Sequence, residues 1–349
     1  MTPIDDIAGT RRLAIVGVAK NCGKTTALNR LMQLRRRLGA APPALVSAGI
    51  DGEPKDLLLG TEKPPVFVAE DQWVATSEAA IRQSTARFEY VKSLGFTTPL
   101  GEVFVCRVLE AGEVILSGLR HRRELVDAVE SLAQSGPGPV WVDGAYGRVV
   151  GAHPDVAGQV VVATGAICGR DVSEVVDKTD DLVSRLGIAT IDDGDERGRE
   201  AMDRALEEGC VVVVDGDEGV LSLQTASAVV GLEELAQRWS PTVEAVAIPG
   251  LVSDRVVEEL LALGTGRRLY VADPTAIHTE AALWHRLRKS WDVRAARTTE
   301  VVGISYNPTA VTGFSLDPGR LKQALRERFP DRPVFDPLAS DLLRKIGVP

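Results

Sequence analysis

At 349 residues the chain is too long for one ordinary core and has room for two α/β domains. Its 44% apolar and 26% charged residues describe a folded chain, and a net charge of −9 disfavours nucleic acid and anionic membrane surfaces as partners. Strands and helices then alternate along most of the sequence. Leu13 to Val16 reads as a buried strand, and Thr25 to Leu38 as a helix stopped by Gly39. Ala44 to Ala48 is a second strand, and Val66 to Ala69 a short one behind a Lys-Pro-Pro turn. Val103–Val108 and Val114–Leu116 flank Ala111-Gly112 and read as a hairpin. An amphipathic helix over 120–134 follows, then the strands Val140–Val142 and Gln159–Ala163, then a helix over about 171–187. The acidic, Gly-rich stretch 191–199 (IDDGDERGR) is the best linker candidate. Strands resume at 211–214, 243–248, 268–272 and 301–305, with helices between them.

This alternation predicts an α/β fold with a mostly parallel sheet and helices on both faces in each half. The expected division is a nucleotide-binding domain over 1–190, a linker over 191–200 and a second, C-terminal α/β domain over 201–349. The four cysteines, at 22, 106, 168 and 210, have no CxxC spacing, so neither a disulfide framework nor a zinc site is indicated. The acidic amino-terminal segment MTPIDDIAGT lacks an apolar signal core, and no apolar run reaches membrane-spanning length. A cytoplasmic protein with no membrane partner is expected; its oligomeric state is not legible, and a homo-oligomer stays open.

The strongest chemical signal is Gly17-Val18-Ala19-Lys20-Asn21-Cys22-Gly23-Lys24-Thr25-Thr26, which follows a buried strand and opens a helix. That context is what a P-loop requires. Backbone N–H groups of such a loop point at phosphate oxygens, and the helix N-terminus adds partial positive charge. Lys24 is expected to bridge the terminal phosphates, and the Thr25 hydroxyl to ligate Mg²⁺. Lys20 either adds a second positive charge or is a solvated loop lysine. Cys22 either has a thiol pKa lowered at the helix N-terminus or is simply a small loop residue.

Three further segments belong to the same expectation. Asp143-Gly144-Ala145 ends the strand VWVDGA, where a carboxylate would hold Mg²⁺ and Gly144 would allow close approach to phosphate; the bland reading is an Asp that merely ends a strand. Asp51-Gly52-Glu53 follows the second strand, and its bland reading is an ordinary Asp-Gly turn. Ala163-Thr164-Gly165-Ala166, with Arg170 downstream, offers a base or phosphate contact or a plain strand-to-helix loop. Asp177-Lys178-Thr179-Asp180 has Asp where a guanine-reading motif needs Asn and is read as a solvated helical face, which favours ATP over GTP. His278 and His285 have no third ligand near, and only four histidines occur in all.

The first Gly of the loop lies one residue further from Gly23 than is usual, which resembles dethiobiotin synthetase and its relatives in the SIMIBI class of P-loop proteins. Asp51 sits where that class often has an acidic residue that positions the attacking water or metal, so the resemblance implies that role for it. The ordered series GVAKNCGKTT, SAGIDGE, TEKPP, TPLGEV, VDGAYGR, ATGA with Arg-Asp, VADPT and SYNPTAVTGFSLDP extends the likeness. It is similar to the smaller, KamB-type reactivase subunit of adenosylcobalamin-dependent lysine 5,6-aminomutase and D-ornithine aminomutase, from about residue 10 to 337.

That resemblance implies an ATP-binding, ATP-hydrolysing reactivating factor, with the aminomutase and a MutS-like ATPase subunit as partners. Gly23, Lys24 and Thr25 then carry over as phosphate and metal residues, and Asp143 as the metal-side acid. The chain lacks the Asp-x-His-x-x-Gly pattern of base-off cobalamin binding, which fits a reactivase better than a mutase. The second domain shows no catalytic constellation and is expected to bind the partner. The competing expectations are a dethiobiotin synthetase-like ATP-dependent ligase or kinase acting on a small molecule, and a nucleotide sensor that binds without hydrolysis.

Overall fold

The computed structural model describes residues 3–48, 65–144, 149–223, 225, 227–237 and 239–339. In chain order the strands are β1 (Arg12–Gly17), β2 (Ala44–Ala48), β3 (Val66–Val68), β4 (Trp73–Ser77), β5 (Arg87–Thr98), β6 (Gly101–Glu110), β7 (Gly112–Val114), β8 (Gly118–Leu119), β9 (Val140–Asp143) and β10 (Gln159–Gly165). They continue as β11 (Ala189–Thr190), β12 (Val212–Asp215), β13 (Gly219–Ser222), β14 (Val243–Ile248), β15 (Val252–Ser253), β16 (Arg267–Val271), β17 (Ile277–His278), β18 (Trp291–Ala295), β19 (Glu300–Asn307) and β20 (Val334–Phe335). The chain divides into two compact units: one runs to Asp180 and resumes at Glu300, and the other is Asp181–Thr299.

The first unit is built on a ten-stranded mixed, mostly parallel sheet in the order β20-β19-β10-β1-β9-β2-β4-β6-β5, with β8 paired to β2. β1, β2, β9, β10, β19 and β20 run parallel, while β6 is antiparallel to both β4 and β5. The central strands are continuous apolar runs because both faces are covered: Leu13 to Val16, Val140 to Val142 and Val160 to Ala163 are all buried. Helix Lys24–Arg37 packs on β1 and β9, and helix Arg122–Ser135 on β2, β4 and β9. After β9 the chain crosses to the other side of β1, so the carboxyl ends of β1, β9 and β10 flank the switch point of the sheet. Open α/β sheets bind ligands in that crevice.

The second unit is a three-layer α/β arrangement on a six-stranded sheet, β11-β18-β16-β14-β12-β13. Strand residues alternate between two cores, as a period of two demands. Val213, Val246, Leu269 and Val271 face a core closed by helices Ala228–Gln237, Asp254–Leu263 and Ala281–Ser290 through Leu232, Val257, Leu260 and Trp284. Val212, Val214, Ala245, Ala247 and Tyr270 face the other, closed by Ala201, Met202 and Ala205 of helix Glu196–Glu208.

The strand and helix positions read from the sequence largely hold, but three expectations are corrected. The segment 191–200 is not a linker: Ile191 is buried, and Asp195 caps the helix that begins at Glu196. The second unit is therefore not C-terminal but inserted, since β19 returns to pair in parallel with β10 of the first sheet. The expected hairpin around Ala111-Gly112 is also replaced. β6 pairs with β4 and β5, while β7 pairs with β3. β5 escaped the sequence reading because it is an edge strand whose side chains are mostly exposed on both faces, leaving no alternation to read. Among the described residues no helix is long and apolar enough to cross a membrane.

Candidate functional site

The loop 17–26 joins the carboxyl end of β1 to the helix Lys24–Arg37. Its turn is made by two left-handed residues, Asn21 at φ 59° and Gly23 at φ 95°. Glycine adopts that region freely, and Asn tolerates it better than most residues. The first helical bond runs from the Ala27 N–H to the Gly23 carbonyl at 2.9 Å. Lys24 folds back over the loop, donating from Nζ to the Ala19 carbonyl at 3.4 Å. Gly17 makes room for this. A Cβ there would lie 2.7 Å from the Cys22 Sγ and 3.0 Å from the Lys24 Nζ. Cys22 is accordingly a buried packing residue of the loop. Val18 N–H anchors the loop to β10 by donating to the Ala163 carbonyl at 2.9 Å. Lys20 is half-buried within the loop, and Thr26 follows Thr25 in the first helical turn.

β9 brings the second element. Its register sets Asp143 opposite Ile15, and the Gly144 N–H donates to the Ile15 carbonyl at 2.9 Å. A Cβ on Gly144 would lie 2.6 Å from that carbonyl oxygen, so the close approach needs glycine. The Ser47 hydroxyl, from β2, donates to the Asp143 carbonyl at 3.2 Å. The result is that the Thr25 Oγ1 donates to the Asp143 Oδ2 at 3.4 Å, across 118 residues of sequence. Two hard oxygen donors thus stand at the mouth of the loop. Among the described residues no group of three or more His, Cys, Asp or Glu could hold a metal by itself. The Thr25–Asp143 pair fits Mg²⁺, which commonly takes one or two protein oxygens together with phosphate and water.

The remaining predicted residues fall out differently. Asp51 and Glu53 lie outside the described residues, as does Ala145. Thr164 is fully buried and shares a 2.8 Å hydrogen bond with Thr179, so it ties β10 to the helix Val172–Leu186 rather than facing a ligand. Arg170 is exposed and its N–H donates to the Glu174 carboxylate at 2.8 Å at the start of that helix. Asp177 and Lys178 do lie on an exposed helical face, but Thr179 and Asp180 are buried, and Asp180 accepts from Arg328 Nη2 at 2.6 Å.

One residue at this edge was missed as a site residue. Asn307 closes β19, and its side chain stands beside the loop: a Cβ on Gly23 would lie 3.5 Å from the Asn307 Cβ and 3.9 Å from its Nδ2. Gly165 accommodates the same strand end, for a Cβ there would lie 2.1 Å from the Asn307 carbonyl oxygen. Beyond it the chain makes a tight loop. Thr309 N–H donates to Asn307 Oδ1 at 3.0 Å, Ala310 N–H to the Phe314 carbonyl at 2.8 Å, and Leu316 N–H to the Pro308 carbonyl at 2.9 Å. The Asn-Pro pair after an apolar strand was the available signal, hidden by assigning that strand to another domain. No family model, curated protein or solved structure matches the chain.

Proposed function

We propose that the first unit is a P-loop domain that binds ATP with Mg²⁺ and hydrolyses it. The observation that carries this reading is the Thr25 Oγ1–Asp143 Oδ2 contact at the switch point, beside a loop whose helix N-terminus opens at Lys24. Backbone N–H groups of the loop and the Lys24 ammonium would hold the β- and γ-phosphates. Thr25 and Asp143 would hold Mg²⁺, which supplies charge neutralisation on the phosphates when bound. Asn307, whose side chain stands beside Gly23, would contact the bound nucleotide. ATP is favoured over GTP because Asp177 to Asp180 lies within a helix, with Thr179 and Asp180 buried in packing. Competition between the two nucleotides tests that preference.

The resemblance of the ordered segments supports a more specific role: a cytoplasmic, chaperone-like reactivating factor for an adenosylcobalamin-dependent amino acid aminomutase, working with a MutS-like ATPase subunit. Exchange of a tightly held cofactor requires an opened mutase. A nucleotide cycle can drive opening if the triphosphate and diphosphate states bind the mutase with different affinity. Partner binding falls to the inserted unit, 181–299. The extended Gly17-to-Gly23 spacing favours one alternative, a dethiobiotin synthetase-like ligase or kinase acting on a small molecule.

The deciding experiment inactivates the mutase by turnover. This chain, the partner ATPase, Mg-ATP and fresh adenosylcobalamin are then added. Activity should return only with ATP and should not return with Lys24→Ala. Recovery that is the same without this chain removes the reactivase reading.

A further inference from the structure

The first unit carries arginine runs at opposite ends of two helices. Arg35-Arg36-Arg37 closes the helix Lys24–Arg37, where the partial negative charge of a helix C-terminus favours cations. Arg120-His121-Arg122-Arg123 opens the helix Arg122–Ser135, where the partial positive charge of an N-terminus disfavours them. All four residues of the second run are exposed. Strand register fixes where they stand. β8 runs parallel to β2 with Gly118 opposite Ser47, and Ser47 is opposite Asp143 of β9. The run therefore leaves the carboxyl edge of the sheet two strand spacings, about 10 Å, from the strand that carries Asp143.

Among the described residues no ion pair balances Arg120, Arg122 or Arg123. Exposed arginines on β5 and β6 of the same unit are matched instead, Arg87 by Glu110 at 2.9 Å and Arg107 by Asp71 at 2.6 Å. Glu124 is the acid of the helix's first turn, and its Oε2 accepts the His121 N–H at 3.4 Å. Asp127, four residues on from Arg123, is exposed and makes no ion pair with it. Arg122 alone touches the fold: its Nη1 lies 3.1 Å from Nε2 of the buried His153, and Asp155 Oδ2 stands 3.6 Å from the other ring nitrogen. Neighbouring guanidinium groups that repel one another and oppose the helix dipole cost the fold stability. No contact of Arg120 or Arg123 within the chain offsets that cost among the described residues.

We propose that this run is a docking surface for an acidic segment of a partner protein, whose carboxylates pair with Arg120 and Arg123 on either side of the anchored Arg122. Guanidinium groups spaced along a run match a series of carboxylates, each pair fork to fork. The chain's net charge of −9 repels an acidic partner from most of its surface, so the run directs that partner to one place. Nucleic acid fits less well, because the same net charge opposes a continuous phosphate backbone. The surface adds to any partner contact of the inserted unit. It rests on strand register and charge and is independent of the nucleotide reading.

The test measures the fluorescence anisotropy of fluorescein-labelled hexaglutamate with the full chain, against hexaglutamine and a hexathymidylate oligonucleotide labelled alike. Hexaglutamate should bind, more weakly as salt rises, and hexaglutamine should not. Arg120→Glu combined with Arg123→Glu should weaken binding about tenfold or more. Arg82→Glu combined with Arg87→Glu changes the net charge equally, at arginines already paired with Glu78 and Glu110, and should cost less than about twofold. Acids at 120 and 123 suit a helix N-terminus, so the first double variant should melt no lower than wild type. Its loss of binding is then not a loss of fold. Equal losses for the two double variants, no binding of hexaglutamate, or tighter binding of the oligonucleotide overturns the proposal.

Discussion

The two units contain nearly the same local sequence with opposite outcomes. Val140-Trp141-Val142-Asp143-Gly144 and Val212-Val213-Val214-Asp215-Gly216 are each a buried three-residue apolar run ending in Asp-Gly. β9 runs parallel between β1 and β2, so its end delivers Asp143 to the loop 17–26, 3.4 Å from the Thr25 hydroxyl. β12 is antiparallel to both neighbours and turns straight into β13. Asp215 is absorbed by that turn. Its carboxylate accepts the N–H groups of Asp217 and Glu218 at 2.8 and 3.1 Å, and the Thr242 hydroxyl at 2.8 Å. Strand polarity, more than residue type, thus separates a carboxylate at the carboxyl edge of parallel strands from one that closes a turn.

The sharpest way to break this comparison is to remove the same charge in both places. Asp143→Asn should lower ATP turnover by roughly 10²–10³-fold, the scale for losing one fixed electrostatic group, with nucleotide affinity much less affected. Asp215→Asn should leave turnover alone. Paired rate and affinity measurements decide it, and equal turnover for wild type and Asp143→Asn would reduce Asp143 to a strand-end residue.

A smaller effect concerns the glycine that lets β19 close the site. Gly165→Ala places a Cβ against the Asn307 carbonyl at a φ of 156°. It should destabilise the first unit by about 1–3 kcal/mol, read as a shifted denaturant midpoint.

The smallest effect is a pH signature in the second unit. The Thr242 hydroxyl, then the Glu218 and Asp217 N–H groups, hold the Asp215 carboxyl below its ordinary value. A depressed folded-state pKa stabilises above the unfolded value, about 3.9, and that stabilisation is lost as pH falls through the folded value. Asp215→Asn should therefore flatten the acid limb of the unfolding curve while leaving its slope near neutrality unchanged.

Most of the first unit was legible because its central strands are unbroken apolar runs and its loop carries Gly23, Lys24 and Thr25 in a strand-to-helix setting. Local sequence also placed Asp143. What it could not supply was pairing between distant strands. Nothing near residues 300–307 says that they join β10 rather than β18, so Asn307 was assigned to a separate domain and its place beside Gly23 went unread. The acidic run at 191–199 resembles a linker by composition, yet Asp192 and Asp195 are tied to Arg294 and to Tyr270 and Arg268. Composition cannot tell a solvated acid from one paired across a sheet edge. Thr179 and Asp180 were misread as a solvated face for the same reason, since their partners Thr164 and Arg328 are far away in sequence.

The loop 17–26 is proposed to be a triphosphate site completed by Thr25 and Asp143. The most direct measurement is a calorimetric titration of the full chain with ATP, with and without Mg²⁺, for wild type and Lys24→Ala. Wild type should bind more tightly when Mg²⁺ is present, and Lys24→Ala should lose about 10–150-fold in affinity, the equivalent of about 1.5–3 kcal/mol for one charge-assisted contact. Superimposable curves for the two proteins, or binding indifferent to Mg²⁺, would contradict the account.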